Sequence, residues 1–198
     1  MVHTAPVKVT ARTRQADARR DELLLTALRL FAEHGVDGTT IEDISKAMGT
    51  AHGLVYHYFA SKNDLLLAVL DRFSFLPELR ELLDVSPDRP ALEVLTEVAT
   101  RFSALLRERA DLLRLVSRES QTNEVVATAL GTVMAEGTQV MASYLGARVA
   151  AGELRPHDVT VPARALFWAI VTQHLGQAPD DDFETGLVDV LVNGLRPT

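Results

Sequence analysis

The sequence of 198 residues contains no cysteine, which excludes disulfide bonds, thiolate zinc sites and cysteine nucleophiles. Its first residues, MVHTAPVKVTARTRQ, lack the apolar segment of a secretory signal. No uninterrupted apolar run approaches the roughly 18 residues of a membrane-spanning helix. These absences together predict a cytoplasmic protein.

Motifs that carry catalysis are also missing. The sequence has no G-x-S-x-G, no H-E-x-x-H and no glycine-rich phosphate loop. We therefore expect that the protein is not an enzyme and uses no cofactor.

Charge is unevenly distributed along the chain, whose formal net charge is −7. Residues 1–20 carry five basic residues and one acidic residue, whereas residues 77–198 carry eleven basic and eighteen acidic residues. A basic N-terminal end on an otherwise neutral first half, followed by an acidic second half, predicts two regions with different functions. A solvated N-terminus that binds no partner would carry the same basic residues.

One stretch lacks acidic residues altogether. Residues 50–59, TAHGLVYHYF, contain two histidines and two tyrosines but no carboxylate. A metal site is disfavoured, because His52 and His57 are five residues apart, about 140° around a helix, whereas a helical zinc pair uses i, i+4 spacing. The spacing of Val55 and Phe59 suits a buried core. The remaining residues form either an ordinary wet surface or a surface that meets an anionic partner.

Apolar residues recur with helical spacing almost everywhere, and no segment alternates as a half-buried strand does. In the first 76 residues the pattern predicts a helix that Asp17 caps and Gly35 ends. A short helix capped by Thr40 follows, then a tight turn at Met48–Thr50 and a second short helix. Two short helices across a glycine-containing turn are typical of a helix-turn-helix. Ser61 is expected to cap the fourth helix.

The second half continues the helical pattern. After a short helix within 78–90, long helical stretches are predicted at roughly 90–109, 111–120, 123–151, 158–177 and 182–195. The fold class is therefore all-α with about nine helices, in which an N-terminal three-helix bundle precedes a larger helical domain.

These residues support a family resemblance. The segment LRLFAEHGVDGTTIEDISKAMG, followed by GLVYHYF and ASKNDLL, resembles the TetR/AcrR family of bacterial transcriptional regulators over about residues 19–70. The resemblance implies a flexible basic arm at 1–18, a helix-turn-helix domain at 19–65 with its recognition helix at about 51–57, a connecting helix at 66–76 and an effector-binding and dimerisation domain at 77–198.

The resemblance also implies double-stranded DNA with a palindromic operator as the partner. Tyr56, His57, Lys62 and Thr40 are expected to contact phosphates, and Thr50 is expected to cap the recognition helix. His52 and Leu54 are the candidates for base contacts, and Gly53 permits close approach. The family often has other residues at Ala51 and Leu54, so these two positions are where an operator preference of this chain would lie. Arg12 and Arg14 of the arm are candidates for the minor groove.

A homodimer and an unknown small-molecule effector complete the expectation, with no membrane partner. The predicted dimer interface comprises Phe167, Ile170, Val171, His174, Phe183, Leu187, Val190 and Leu191. The predicted effector pocket comprises Phe102, Leu113, Val116, Val133, Met134, Met141, Tyr144 and Trp168. Each of these residues would also suit a plain core.

Two rival interpretations fit the same sequence. An activator or dual regulator would share every feature of a repressor. A helical interaction protein that keeps the fold without reading DNA is the other alternative, and the intact Gly53, Tyr56 and Lys62 argue against it.

Overall fold

Ten helices and no strands make up the part of the chain that the computed structural model describes, which is residues 11–84, 89–175 and 182–195. The side chains of residues 11–13 lie outside this description. The all-α prediction is confirmed. One helix more than the expected nine is present, and the short helix expected within 78–90 accounts for it. The chain divides into two units, Met1–Arg72 and Phe73–Thr198. This division lies four residues before the boundary expected at 76/77.

The first helix is longer than the sequence pattern indicated. Helix α1 spans Ala11–His34 and ends at Gly35, whose φ of 81° is the left-handed conformation expected there. Asp17 lies inside α1, so its assignment as the cap was wrong. Residues 11–18 are likewise helical rather than an arm, because no glycine or proline interrupts the helix. Residues 1–10 of the expected arm lie outside the described residues.

The helix-turn-helix consists of α2 (Ile41–Ala47) and α3 (Gly53–Tyr58). Thr40 and Asp43 form the predicted capping box, since each side chain accepts a hydrogen bond from the backbone amide of the other residue. The turn between the helices passes through Gly49, whose φ is 62°. These local features fix where α2 begins and where the chain turns towards α3.

Helix α4 (Lys62–Arg72) completes the first unit and packs against α1. Ser61 caps it as predicted, because its hydroxyl accepts a hydrogen bond from the Asp64 amide at 3.1 Å. The core of this unit includes the predicted residues Val55 and Phe59 together with Leu28, Ile44 and Leu66, all of which are buried. Burial of Val55 and Phe59 fixes which face of α3 points outwards.

The second unit contains six helices. These are α5 (Leu76–Asp84), α6 (Ala91–Glu108), α7 (Ala110–Glu119), α8 (Glu124–Ala150), α9 (Thr160–Leu175) and α10 (Phe183–Leu195). Pro77 lies in the first turn of α5, where its missing amide hydrogen costs nothing. Helix α6 packs against both α9 and α10, and α8 packs against α9.

Helices α8 and α9 approach each other closely at Gly137. A Cβ atom at Gly137 would lie 2.4 Å from Cζ of Phe167, so any side chain there would displace the phenylalanine ring. The Phe167 ring in turn stacks on Phe102, with ring centroids 5.3 Å apart. Gly137 therefore allows this aromatic core to form.

Helix α8 is long and apolar enough, by length and composition alone, to cross a membrane. Within the second unit it packs against α5, α7 and α9, and Met134, Met141 and Leu145 are buried there. It also carries Glu136 and Arg148. These features are those of a helix in the core of a folded domain, and a single such helix does not indicate a membrane protein.

Candidate nucleic-acid interface

One face of α3 is exposed and carries no carboxylate. Val55 is fully buried, whereas His52, Gly53, Tyr56 and His57 are exposed. Ala51 is also exposed, and Leu54 is partly buried. The structure thus separates the core residues of this stretch from its surface residues as the sequence predicted. We call the surface set Ala51–Leu54, Tyr56 and His57 the α3 face.

Aromatic rings on the α3 face contact neighbouring rings. The ring centroids of His52 and Tyr56 are 5.2 Å apart with an edge-on geometry, as i, i+4 neighbours on a helix allow. His57 makes a similar contact with Tyr58 at 5.2 Å. Tyr56 is nevertheless 51% exposed, so its ring and hydroxyl remain accessible.

The start of α3 has no side-chain cap. His52 occupies the N-cap position, but its side chain makes no capping hydrogen bond. Thr50, which was expected to cap this helix, lies too early in the chain. Its hydroxyl reaches only the carbonyl oxygen of Ser45, at 3.5 Å, and its amide bonds the same oxygen at 2.9 Å. Thr50 therefore closes the turn after α2 instead.

Thr40 is already engaged within the protein. Its hydroxyl donates to a carboxylate oxygen of Asp43 at 2.6 Å and accepts from the Asp43 amide at 3.1 Å. The hydrogen bonds that the Thr40 hydroxyl and the Thr40 amide donate to the Asp43 carboxylate hold the pKa of Asp43 below its usual value. The Thr40 hydroxyl hydrogen is thus engaged by Asp43, and the predicted phosphate contact of Thr40 stays a prediction.

Lys62 also has partners that the sequence did not reveal. Its Nζ atom donates to the carbonyl oxygens of Val36 at 2.8 Å and of Thr39 at 3.2 Å. Both oxygens belong to the connection between α1 and α2, more than 20 residues earlier in the chain. Two of the three ammonium hydrogens therefore hold this connection, and the predicted phosphate contact of Lys62 stays a prediction.

The two arginines predicted for the minor groove lie on α1. Arg14 is exposed on the first part of this helix, and Arg12 belongs to the same helix but its side chain is not described. Helical backbone does not follow a groove as an extended arm does. A contact of Arg14 with DNA would therefore come from the side of a helix.

Comparison with known proteins agrees with this geometry. The family described as bacterial regulatory proteins, tetR family, matches residues 23–69, which run from α1 into α4. A second model, described as AefR-like transcriptional repressor, C-terminal domain, matches residues 93–176. Together the two models match more than half of the chain. The chain belongs to the TetR family.

Curated relatives match only part of this chain. The HTH-type transcriptional repressor KstR2 of Mycobacterium tuberculosis is 42% identical over 59 residues, which is 30% of each chain. The HTH-type transcriptional repressor NicS of Pseudomonas putida is 35% identical over 91 residues, or 44% of this chain and 43% of NicS. The matched region thus spans less than half of either relative.

Solved structures extend the likeness of the fold to both units. A TetR-family regulator from Mesorhizobium loti has a TM-score of 0.75 at 20% identity, covering 91% of this chain and 98% of that one. The regulator FadR from Bacillus subtilis, solved in complex with stearoyl-CoA, has a TM-score of 0.74 at 20% identity, covering 89% and 99%. At this identity the likeness concerns the fold alone.

The residues predicted for an effector pocket divide between core and surface in this TetR-family chain. Phe102, Met134, Met141 and Tyr144 are buried in the core of the second unit. Leu113, Val116 and Val133 are partly buried, and Trp168 is 43% exposed. Tyr144 lies against Arg148, whose guanidinium carbon is 4.8 Å from the ring centroid. Burial raises the pKa of the Tyr144 hydroxyl, while Arg148 acts in the opposite direction.

An open groove lies beside one of these residues. We call it the α6–α7–α9 groove. Apolar residues and arginines line it together, namely Leu106, Arg107, Ala110, Leu113, Arg114, Ser117, Arg118, His174 and Leu175. Leu113 is the member of the predicted pocket that contributes to it.

The predicted dimer residues are also divided. Phe167, Ile170 and Val171 are buried in the core of their own unit, so their assignment to a dimer face was wrong. Phe183, Leu187 and Leu191 are partly buried, and Val190 is 70% exposed. Apolar residues exposed on the outer side of α9 are Val161, Trp168 and Leu175. Together with Val190 these three form what we call the α9–α10 outer face.

His174 is part of a cluster that sequence reasoning missed. Its Nε2 atom lies 2.9 Å from the hydroxyl oxygen of Ser103, and this hydroxyl also contacts the carboxylate of Glu184. The cluster is not a catalytic triad, because Nδ1 of His174 contacts the carbonyl oxygen of Ile170 instead of the carboxylate. Within the described ranges, no three His, Asp or Glu residues are placed to hold a metal ion.

Proposed function

We propose that this TetR-family protein is a homodimeric DNA-binding transcriptional regulator, a repressor that a small-molecule effector releases from a palindromic operator. The observation that carries this proposal is the α3 face. It projects histidine and tyrosine side chains from the second helix of a helix-turn-helix and includes no carboxylate. Such a surface suits the phosphates and base edges of a major groove.

Each member of the α3 face has a separate role in this proposal. Tyr56 and His57 donate hydrogen bonds to phosphates and so position the helix. His52 contacts a base edge, and Leu54 contacts a thymine methyl group. Leu54 and Ala51 set the sequence preference of this chain, since these are the two positions where it departs from the residues common in the family.

Gly53 gives this proposal a specific test. A Cβ atom there would meet no atom of the protein within 4 Å, and the backbone of Gly53 lies within the helical range of α3. Neither packing nor conformation of the chain itself therefore requires glycine at this position. Close approach of another molecule to the helix does explain it.

We expect Gly53→Ala to weaken DNA binding without loss of stability. Alanine favours a helix over glycine by roughly 0.5–1 kcal/mol, so the unfolding temperature should stay unchanged or rise. The added methyl group lies between the helix and the groove, and we expect at least a tenfold rise in the dissociation constant. An operator is first selected from random duplexes, and binding is then measured by fluorescence anisotropy at fixed salt.

Gly131→Ala is the matched control. Gly131 is exposed on α8 of the second unit, and a Cβ there also meets no atom within 4 Å. This variant should bind the operator as the wild type does. A selection that enriches no palindrome with two half-sites would reject the proposal and favour a helical interaction protein. Unchanged affinity of Gly53→Ala would show that α3 does not enter the groove as proposed.

Repression and effector release are the further parts of this proposal. The relatives KstR2 and NicS are named transcriptional repressors, and their likeness to this chain covers 30% and 44% of it. The α6–α7–α9 groove combines apolar side chains with arginines, which suits a small molecule that has an apolar body and an anionic group. We propose this groove as the place where such an effector enters the second unit.

A further inference from the structure

The α3 face carries hydrogen-bond donors but neither a lysine nor an arginine. The whole stretch of residues 50–60 lacks both residue types. Double-stranded DNA presents one negative charge per roughly 1.7 Å of its axis, and proteins that bind it neutralise several phosphates with lysine or arginine. The cations of the proposed interface must therefore come from residues outside α3.

Several basic side chains of the first unit are already engaged within it. Arg72 donates two hydrogen bonds to Asp21, at 3.1 and 3.2 Å, and Arg19 is paired with Glu22 at 2.7 Å. Lys62 donates two of its three ammonium hydrogens to backbone carbonyl oxygens. These three cations therefore act first on the protein itself.

Arg20 is placed differently, at the end of α3. Its side chain is exposed on α1, and its guanidinium carbon lies 5.4 Å from the centroid of the Phe59 ring. Phe59 is the C-cap residue of α3 and is buried in the core of the unit. A guanidinium held over an aromatic ring keeps its N–H groups at its outer edge, where they can still bind a phosphate. Arg20 thus brings a cation to the end of the helix that bears the α3 face.

An open groove lies between α1 and the same end of α3. We call it the α1–α3 groove, and its lining residues are Gln15, Ala16, Ala18, Arg19, Glu22 and Tyr58. Tyr58 is the last residue of α3, and its ring contacts that of His57 on the α3 face. The small side chains of Ala16 and Ala18 leave room on the α1 side. The groove therefore adjoins the α3 face and is open to a partner that covers both.

We propose that Arg20 and the α1–α3 groove form a second nucleic-acid contact of the first unit, which holds the sugar–phosphate backbone of one DNA strand beside the half-site that α3 reads. Arg20 neutralises a phosphate, and Gln15 and Tyr58 donate hydrogen bonds to the same strand. This contact positions the protein and carries no sequence preference. It rests on the proposed function, because it extends the DNA binding of the α3 face.

The length of α3 brings a phosphate to this position. α3 has six residues and is about 9 Å long at 1.5 Å per residue. The major groove is roughly 12 Å wide, and a phosphate backbone borders it on each side. A helix that is shorter than the groove is wide ends near one of these borders. The contact differs from the minor-groove contact expected for Arg12 and Arg14, since it is made to phosphates beside the major groove.

The salt dependence of DNA binding tests the proposal. The full chain is titrated onto the selected operator by fluorescence anisotropy between about 50 and 200 mM salt. We expect Arg20→Gln to reduce the slope of log affinity against log salt by about one per protomer, because one phosphate contact is lost. Arg20→Lys should keep the wild-type slope, because an ammonium group also neutralises the phosphate. An unchanged slope for Arg20→Gln would overturn the proposal.

Arg29→Gln is the matched control. Arg29 is exposed on α1 nine residues after Arg20, which is two and a half turns, so it lies on the opposite side of the helix. Its substitution changes the net charge of the protein by the same amount. We expect the wild-type slope for this variant. A slope reduced as much as that of Arg20→Gln would reveal a general effect of charge and would contradict a contact at Arg20.

Two further readouts separate a phosphate contact from other roles of Arg20. If Arg20 only held α1 against Phe59, Arg20→Gln would lower stability and leave the slope unchanged. An exposed cation–π pair is worth roughly two- to fivefold in an equilibrium constant, so we expect the variant to remain folded, which circular dichroism checks. The half-site that Arg20→Gln enriches from random duplexes should be that of the wild type. An altered half-site would place Arg20 on a base edge instead.

The outcomes for this contact and for the proposed function are distinguishable. A wild type that enriches a palindrome, together with an Arg20→Gln variant of unchanged slope, would reject the α1–α3 contact and leave DNA binding by α3 intact. A wild type that enriches no palindrome would reject both.

Discussion

Lys62 shows how a single side chain can hold the connection between two helices. Its ammonium group joins two carbonyl oxygens of the connection before α2, and Thr39 of the same connection donates its hydroxyl to Gly35 and Leu30. We expect Lys62→Met to lower the free energy of unfolding of the first unit by about 1–3 kcal/mol, because both oxygens lose a charged donor. Chemical denaturation monitored by circular dichroism measures this loss.

The salt dependence of DNA binding separates this role from direct contact with phosphate. Two ammonium hydrogens are bonded to the protein and the third remains for the predicted phosphate contact, so we expect Lys62→Met to reduce the slope of log affinity against log salt by about one per protomer. An unchanged slope would remove Lys62 from the DNA contacts. Lys46→Met, an exposed lysine of α2, is the control for stability and should change the free energy of unfolding little.

At the scale of helices, the two threonines near α2 and α3 offer identical substitutions with different expected results. Thr40 makes both hydrogen bonds of the α2 capping box, whereas Thr50 caps neither helix. Thr40→Ala should cost about 1 kcal/mol of stability, the usual effect of losing an N-cap, and Thr50→Ala distinctly less. Thermal unfolding of the two variants side by side measures the difference, and equal losses would contradict the assignment of the cap.

The pKa of Asp43 adds a pH signature to this comparison. The Thr40 hydrogen bonds lower that pKa, so their contribution is present above the usual pKa of aspartate and is lost as pH falls through the lowered value. The stability difference between the wild type and Thr40→Ala should therefore shrink in acid. This stability difference should be constant from pH 6 upwards if Asp43 is the only group whose titration changes it.

The helices differ in how far the sequence could predict them. The Thr40–Asp43 box and the Ser61 cap were predictable, because each depends on residues three apart. The partners of Lys62 were not, since they lie 23 and 26 residues away and only the folded chain brings them near. The prediction for helix α9 was wrong for another reason. This helix is apolar on both sides, so periodicity could not tell its inner residue Phe167 from its outer residue Trp168.

For the whole molecule, the α9–α10 outer face is the surface that we expect to join two copies. Val161, Trp168 and Leu175 are spaced by seven residues along α9, and Val190 of α10 is 70% exposed. Spacing of seven keeps apolar residues on one side of a helix, as a helix–helix seam requires. In a twofold interface each residue is used twice, so one substitution acts at two places.

We expect Val190→Glu to convert the dimer to a monomer without unfolding it. Leaving two valines unburied costs at least about 3 kcal/mol per dimer, which weakens association roughly hundredfold before charge repulsion is added. Sedimentation velocity across a dilution series measures the change, and circular dichroism checks the fold. Leu25→Glu is the control, since Leu25 is 58% exposed on α1 and should leave the mass unchanged. A Val190→Glu protein that sediments as the wild type does would show that the interface lies elsewhere. Phe167→Glu, in contrast, should unfold the second unit, because Phe167 belongs to its core.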